Sequence, residues 1–236
     1  MNNPLTMNSL GEGYRALVIG ASGALGSAFC ELLNQDPRCA YVRELGRNSA
    51  PCLDLEDPDS IAGAASELAK EAPYPLILHA AGLLHRDEIK PEKSYSAIEA
   101  DALQSVFQVN TFGPALVLRH FLPLLGAHGA MAMLSAKVGS IGDNRLGGWY
   151  AYRASKAALN MMIKTAAIEL ARTRPQIRLL SLHPGTVISS LSHPFRGASD
   201  ARPASIAAHE LLSLIDRLAP ADSGNFFAYN GERLPW

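Results

Sequence analysis

No run of about eighteen uncharged apolar residues occurs anywhere in the chain, so no segment reads as a membrane-spanning helix. Met1 to Gly13 lacks the basic start and apolar stretch of a secretory signal. A flexible leader over 1–13 is expected ahead of one soluble, cytoplasmic domain over 14–236. Cysteine is scarce. Cys30, Cys39 and Cys52 make no Cys-x-x-Cys motif and leave an odd count, which points to free thiols in a reducing compartment. Charge of one sign is missing too, with 21 Lys and Arg against 22 Asp and Glu and no long basic run. A nucleic-acid surface needs clustered positive charge to replace phosphate counterions, so no nucleic-acid partner is expected. None of the seven histidines stands four residues from another, so the usual helical metal pair is absent and no metal is expected.

What is present is apolar and alternating. With 236 residues, 48% hydrophobic and 18% charged, the chain can bury a full core as one domain. Short β-rich apolar runs alternate with longer helical patterns, the signature of a parallel sheet covered by helices on both faces. Strands are predicted at Arg15–Gly20, Ala40–Leu45, Cys52–Leu55, Pro75–His79, Ala130–Ser135, Ile177–His183 and Asn225–Tyr229. Helices are predicted at Ala24–Asn34, Asp59–Lys70, Ile98–Leu125, Tyr150–Thr173 and Ala204–Leu218. The expected fold is α/β: a Rossmann-type, doubly wound, seven-stranded parallel sheet.

Leu17 to Gly26 reads as a strand passing through a glycine-rich turn into a helix. Gly20, Gly23 and Gly26 fall three apart, suited in turn to tight turning, close backbone approach to a pyrophosphate, and close helix-to-strand packing. Amides at the helix start, around Ser22, Ala24 and Leu25, would face the phosphates. After the next strand Arg47 offers a cation for a 2′-phosphate, which favours NADP; Glu44 keeps NAD open. Asp54 and Leu55 could place a carboxylate near the adenine amino group, or form an ordinary solvated turn.

Tyr152-Arg-Ala-Ser-Lys156 sets a phenol and an ammonium on one helix face, one turn apart. A nearby cation favours the phenolate, so Tyr152 is expected to become an acid or base usable near neutral pH. Such a group can protonate the alkoxide left by hydride transfer to a ketone or aldehyde, and reverse the step. Ser135 could donate to the substrate oxygen. Asn110 could hold a water linking Lys156 to solvent.

These motifs together resemble the short-chain dehydrogenase/reductase family, and more closely its C-factor and sniffer-type carbonyl-reductase branch. The matching segments are Gly20-x-x-Gly23-x-x-Gly26, His79-Ala80-Ala81-Gly82, Val109-Asn110-x-x-Gly113, Tyr152-x-x-x-Lys156 and Pro184-Gly185-Thr186-Val187. The resemblance, from Ala16 to Trp236, implies NAD(P)-dependent reduction of a small carbonyl compound, or oxidation of the alcohol. It implies that Ala80, Ala81 and Gly82 line the cofactor, that Lys156 binds the nicotinamide ribose, and that Pro184, Gly185 and Val187 flank the nicotinamide. A homodimer or homotetramer built on the two longest helices is implied as well. Three positions depart from the family pattern. Ala24 stands where the middle glycine is commonest, His79 and Ala80 replace a pair of Asn, and Ala136 stands where the catalytic serine usually falls. Ser135 is therefore one residue off, with Ser140 the next candidate.

The segment 188–203 is the expected substrate lid, with Phe195 and Arg196 as candidate contacts and Ile141, Leu146 and Trp149 as an apolar wall. Two other functions stay open: an NADP-binding sensor without chemistry, and a serine hydrolase. The second would need a Gly-x-Ser-x-Gly elbow, which Gly20-Ala-Ser22-Gly-Ala24 does not complete.

Overall fold

Strand β1 (Tyr14–Ile19) carries four consecutive fully buried residues, Ala16 to Ile19, as a strand covered on both faces must. The computed structural model describes residues 5–192 and 201–236. Beside β1 lie β2 (Cys39–Leu45), β3 (Tyr74–His79), β4 (Leu125–Leu134), β5 (Arg178–His183) and β6 (Phe226–Ala228). All neighbours pair in parallel in the order β2-β1-β3-β4-β5-β6. After β1 the chain moves outward to β2, then crosses back to β3. That reversal opens a crevice at the carboxyl ends of β1 and β3, where ligands of such sheets lodge.

Helices α1 (Ala24–Gln35) and α6 (Ala204–Arg217) cover one face, burying Phe29, Leu33, Leu211 and Ile215 against Val18, Leu78 and Leu180. On the other face lie α2 (Pro58–Leu68), α4 (Gly113–Phe121) and α5 (Tyr150–Thr173). Their Ile61, Val117, Phe121, Leu159 and Ile163 pack on Leu17, Ile77 and Met133. Asp57 caps α2 by accepting from the Asp59 N–H, with Pro58 in the first turn.

Three expectations need correction. Cys52–Leu55 is not a strand, and the sheet has six among the described residues: the Leu53 amide donates to the Gly46 carbonyl and the Asp54 amide to Ser60 Oγ, so neither joins a ladder. The long helix at Ile98–Leu125 divides into α3 (Ala100–Phe107), a π turn over Gln108–Phe112, α4 and a closing 3₁₀ turn. The Gly113 amide donates five residues back to the Gln108 carbonyl, and Pro114 has no N–H to give the Asn110 carbonyl four residues back. The leader is packed from Leu5 onward: Met7 is fully buried, and its amide and the Tyr14 hydroxyl both donate to Asp36.

Candidate active site

Sterics, rather than side-chain bonds, shape the first turn. Gly20 has φ +83°, and a Cβ there would lie 2.8 Å from the Ala81 nitrogen, so neither its conformation nor its space admits a side chain. A Cβ on Gly26 would overlap the Gly20 carbonyl. The Gly20 and Ala21 amides donate to the Leu45 carbonyl, and Ala80 N–H to Ile19 O, stitching the turn to both flanking strands. Gly23 begins α1 without any side-chain cap, leaving the first-turn amides directed at the crevice.

The crevice is a single cleft of about 830 Å³ running from this turn to α5. Of the residues the sequence singled out for chemistry or cofactor, Gly20, Ser22, Gly23, Ala24, Leu25, Arg47, Asp54, Leu55, Ala80, Ala81, Gly82, Ser135, Tyr152, Lys156, Pro184, Gly185 and Val187 line it. Two do not. Gly26 is buried in packing behind the turn, and Asn110 lies behind the wall. Glu44 is also off the cleft, whereas Arg47 lines it. Leu146 and Trp149 form part of the wall; Ile141 does not. Phe195 and Arg196 fall outside the described residues. Of the segment expected to be a lid, Ser189, Ser190, Leu191 and Ser192 line the cleft, and beyond the undescribed residues Arg202 donates to the Pro184 carbonyl.

Tyr152 and Lys156 are positioned by α5, whose start is fixed from far away. Trp149 takes a left-handed conformation, and the buried Glu92 carboxylate accepts from the Ala151 amide. The Trp149 ring meets Tyr152 edge-on at 6.2 Å. The Tyr152 hydroxyl makes no hydrogen bond among the described residues. Lys156 Nζ stands 5.9 Å from the centre of its ring and donates to the Leu134 carbonyl at 3.0 Å. Burial pushes the Tyr152 phenol up to about 12 and the Lys156 ammonium down to about 8. In the protein alone burial desolvates both groups, so without a bound cofactor the phenol is not brought toward neutrality.

Asn110 is a strut. Its Oδ1 accepts from the Leu83 amide at 2.8 Å while its Nδ2 donates to the Leu83 carbonyl and Ser155 Oγ. Both amide hydrogens are committed, and Pro114, having no N–H, cannot give the Asn110 main-chain carbonyl its usual four-residue helical bond. Ser135 is 4% exposed and its Oγ has no partner among the described residues. Ser140, the rival serine, is buried off the cleft, where its Oγ accepts from the Asp143 amide. His79 is fully enclosed. Burial first and the nearby Lys156 charge second push it down to about 3, so it is neutral.

The cradle fits a dinucleotide: an uncapped helix start, a turn that admits no side chain at Gly20 or Gly26, and at Gly82 a position whose Cβ would sit 3.4 Å from Lys156 Nζ. Sequence reasoning missed Glu92, Ser155 and Arg153. Arg153 was visible inside the Tyr-Lys motif; Glu92 has no local signature at all.

The family model described as Enoyl-(Acyl carrier protein) reductase matches residues 30–229. The chain is a short-chain dehydrogenase/reductase. This dehydrogenase/reductase is 32% identical over 198 residues to the 1-hydroxy-2-glutathionyl-2-methyl-3-butene dehydrogenase of Rhodococcus sp. (strain AD45), covering 84% of each chain. To the C-signal protein of Myxococcus xanthus it is 40% identical over 134 residues, 55% of this chain and 76% of that one. Among solved structures it superposes on the carbonyl reductase Sniffer of D. melanogaster with a TM-score of 0.82 at 24% identity, over 95% of this chain and all of that one. The NADPH-bound carbonyl reductase from chicken fatty liver gives 0.81 at 23%, over 96% and 100%. At those identities the likeness is one of fold. Among the described residues no helix is long and apolar enough to cross a membrane, and no group of three or more His, Cys, Asp or Glu could hold a metal ion.

Proposed function

We propose that this oxidoreductase reduces a small ketone or aldehyde, or oxidises the matching alcohol, with NADP(H). One observation carries the proposal: a partnerless Tyr152 hydroxyl shares a cleft with the glycine turn around Gly20, with Lys156 between them. A bound nicotinamide dinucleotide supplies the hydride that reaches the carbonyl carbon. Tyr152, held protonated by its burial, donates its proton to the substrate oxygen as charge builds there. Lys156 remains charged at pH 7, holds the ribose hydroxyls and favours the phenolate left behind. The Ser135 hydroxyl, buried in the cleft wall with no protein partner, would donate to the same oxygen. The Asn110 carbonyl, rather than its amide, is the group suited to holding a water that returns a proton through Lys156.

Arg47 in the cleft and Glu44 outside it support NADP over NAD. The NADPH bound in the chicken carbonyl reductase accords with this choice. Phe112, Met161, Met162 and Ile168 expose apolar side chains around α4 and α5, which supports a homodimer or homotetramer. The test is NADPH oxidation against a panel of carbonyls. Tyr152→Phe should lower kcat by about 10²- to 10⁴-fold while NADPH still binds. Activity that survives the substitution would remove Tyr152 as the acid.

A further inference from the structure

The substrate end of the cleft holds cations that the chemistry above does not use. The loop from β4 to α5 contributes Lys137, Asp143 and Arg145 to the lining, and the first turn of α5 adds Arg153. Lys137 and Asp143 pair at 3.7 Å and cancel. Two positive charges are left over. Arg153 is half-buried and clamped: Nε donates to the carbonyls of Gly147 and Gly148 and Nη1 to that of Val138. Its Nη2 has no partner among the described residues, and no carboxylate touches the guanidinium. Burial holds its pKa below the usual arginine value, and the Asp143 charge nearby offsets that only in part. Arg145 is exposed, and its single bond is a long one of 3.4 Å to the Asn144 carbonyl. Its forked donors are otherwise open.

Neither cation is placed for the dinucleotide's phosphates. The phosphate-facing turn lies on the β1–β2 side of the crevice, whereas this loop rises from β4, across β3 on the other side. Arg86, a third arginine on the lining, is already paired with Glu56 at 2.7 Å. An arginine fork recognises a planar carboxylate through two parallel N–H donors, and a cleft with one sign of excess charge concentrates ligands of the other. We propose that the substrate of this site is a carbonyl compound bearing a carboxylate, gripped by Arg145 with the clamped Arg153 behind it. The proposal rests on the carbonyl-reductase reading for its reaction, and adds the substrate class. Leu146 and Trp149, between the two arginines in sequence and on the same wall, fit an apolar body joining the carboxylate to the carbonyl.

A matched pair of aldehydes tests it on the full chain: 4-carboxybenzaldehyde and its methyl ester, which differ in the negative charge. With NADPH, kcat/KM for the acid should exceed that for the ester by about tenfold, a ratio that shrinks as salt screens the charges. Arg145→Gln should bring the ratio near one, and Arg145→Asp should take it below one. A wild-type ratio of one, or a ratio that both substitutions leave in place, overturns the proposal. If neither aldehyde is turned over, the reductase reading fails separately. Calorimetric titration of Tyr152→Phe with NADPH present then decides: tighter binding of the acid than the ester, lost in Arg145→Gln, keeps the carboxylate site, and equal binding ends it.

Discussion

The glycine turn and the head of α5 stand at the carboxyl ends of strands in one sheet and face one cleft, yet they are held by opposite means. The turn uses backbone alone, with amides of residues 20, 21 and 80 on strand carbonyls and no space for a Cβ at Gly20 or Gly26. The head of α5 uses side chains gathered from across the fold: Asn110 to Leu83 and Ser155, Lys156 to Leu134, Arg153 to three carbonyls, Glu92 to Ala151. A part built by exclusion fails when atoms are added. A part built by side-chain bonding fails when they are taken away.

The sharpest way to break this contrast is Gly26→Val. Overlap with backbone cannot be relieved by a rotamer change, so a loss of about 3 kcal/mol or more, with no measurable NADPH affinity, is expected in thermal melts and fluorescence titration. Wild-type behaviour would mean the turn is not sterically locked.

At the other site, the cost of burying Lys156 can be read from pH. The folded chain binds this proton more weakly, with a pKa of about 8 against about 10.4 in the unfolded chain. Stability should therefore rise with pH between those values, the penalty being full below pH 8 and gone above 10.5. Relative to Lys156→Met, the wild type should recover up to about 3 kcal/mol across that window. Parallel stability curves for the two proteins would show that the ammonium is solvated.

Smaller effects separate neighbouring residues of the same type. Ser135→Ala should lower kcat by about 10²-fold, the usual cost of a lost oxyanion donor, while Ser140→Ala should change it by less than about threefold. The reverse result would move the donor to Ser140. Least of all, Arg47→Ala should raise the KM for NADPH by about tenfold, about 1.4 kcal/mol, without affecting NADH. An equal shift for both coenzymes would reduce Arg47 to a surface charge.

The same contrast explains what was legible in the sequence. Steric requirements are local, so Gly20, Gly23 and Gly26 announce their turn by spacing, and apolar runs mark all six strands. Tyr152 and Lys156 share a face by helical periodicity and were equally readable. Their supports were not, because Glu92 lies 59 residues from the amide that it caps, and Asn110 was read as a water holder when its amide binds residues 27 and 45 positions away. Hydrogen-bond partners brought together by folding leave no periodic trace. Cys52–Leu55 shows the opposite error, for a β-like composition supplied no neighbouring strand edge to pair with.

Pro114 gives the middle of the molecule a permanence that its other polar contacts lack. Salt bridges loosen with salt, and capped termini fray on warming, but a ring nitrogen that carries no hydrogen never regains one. The four-residue helical bond that would end on the Asn110 carbonyl is therefore missing at every temperature at which the fold survives, an omission written in covalent bonds.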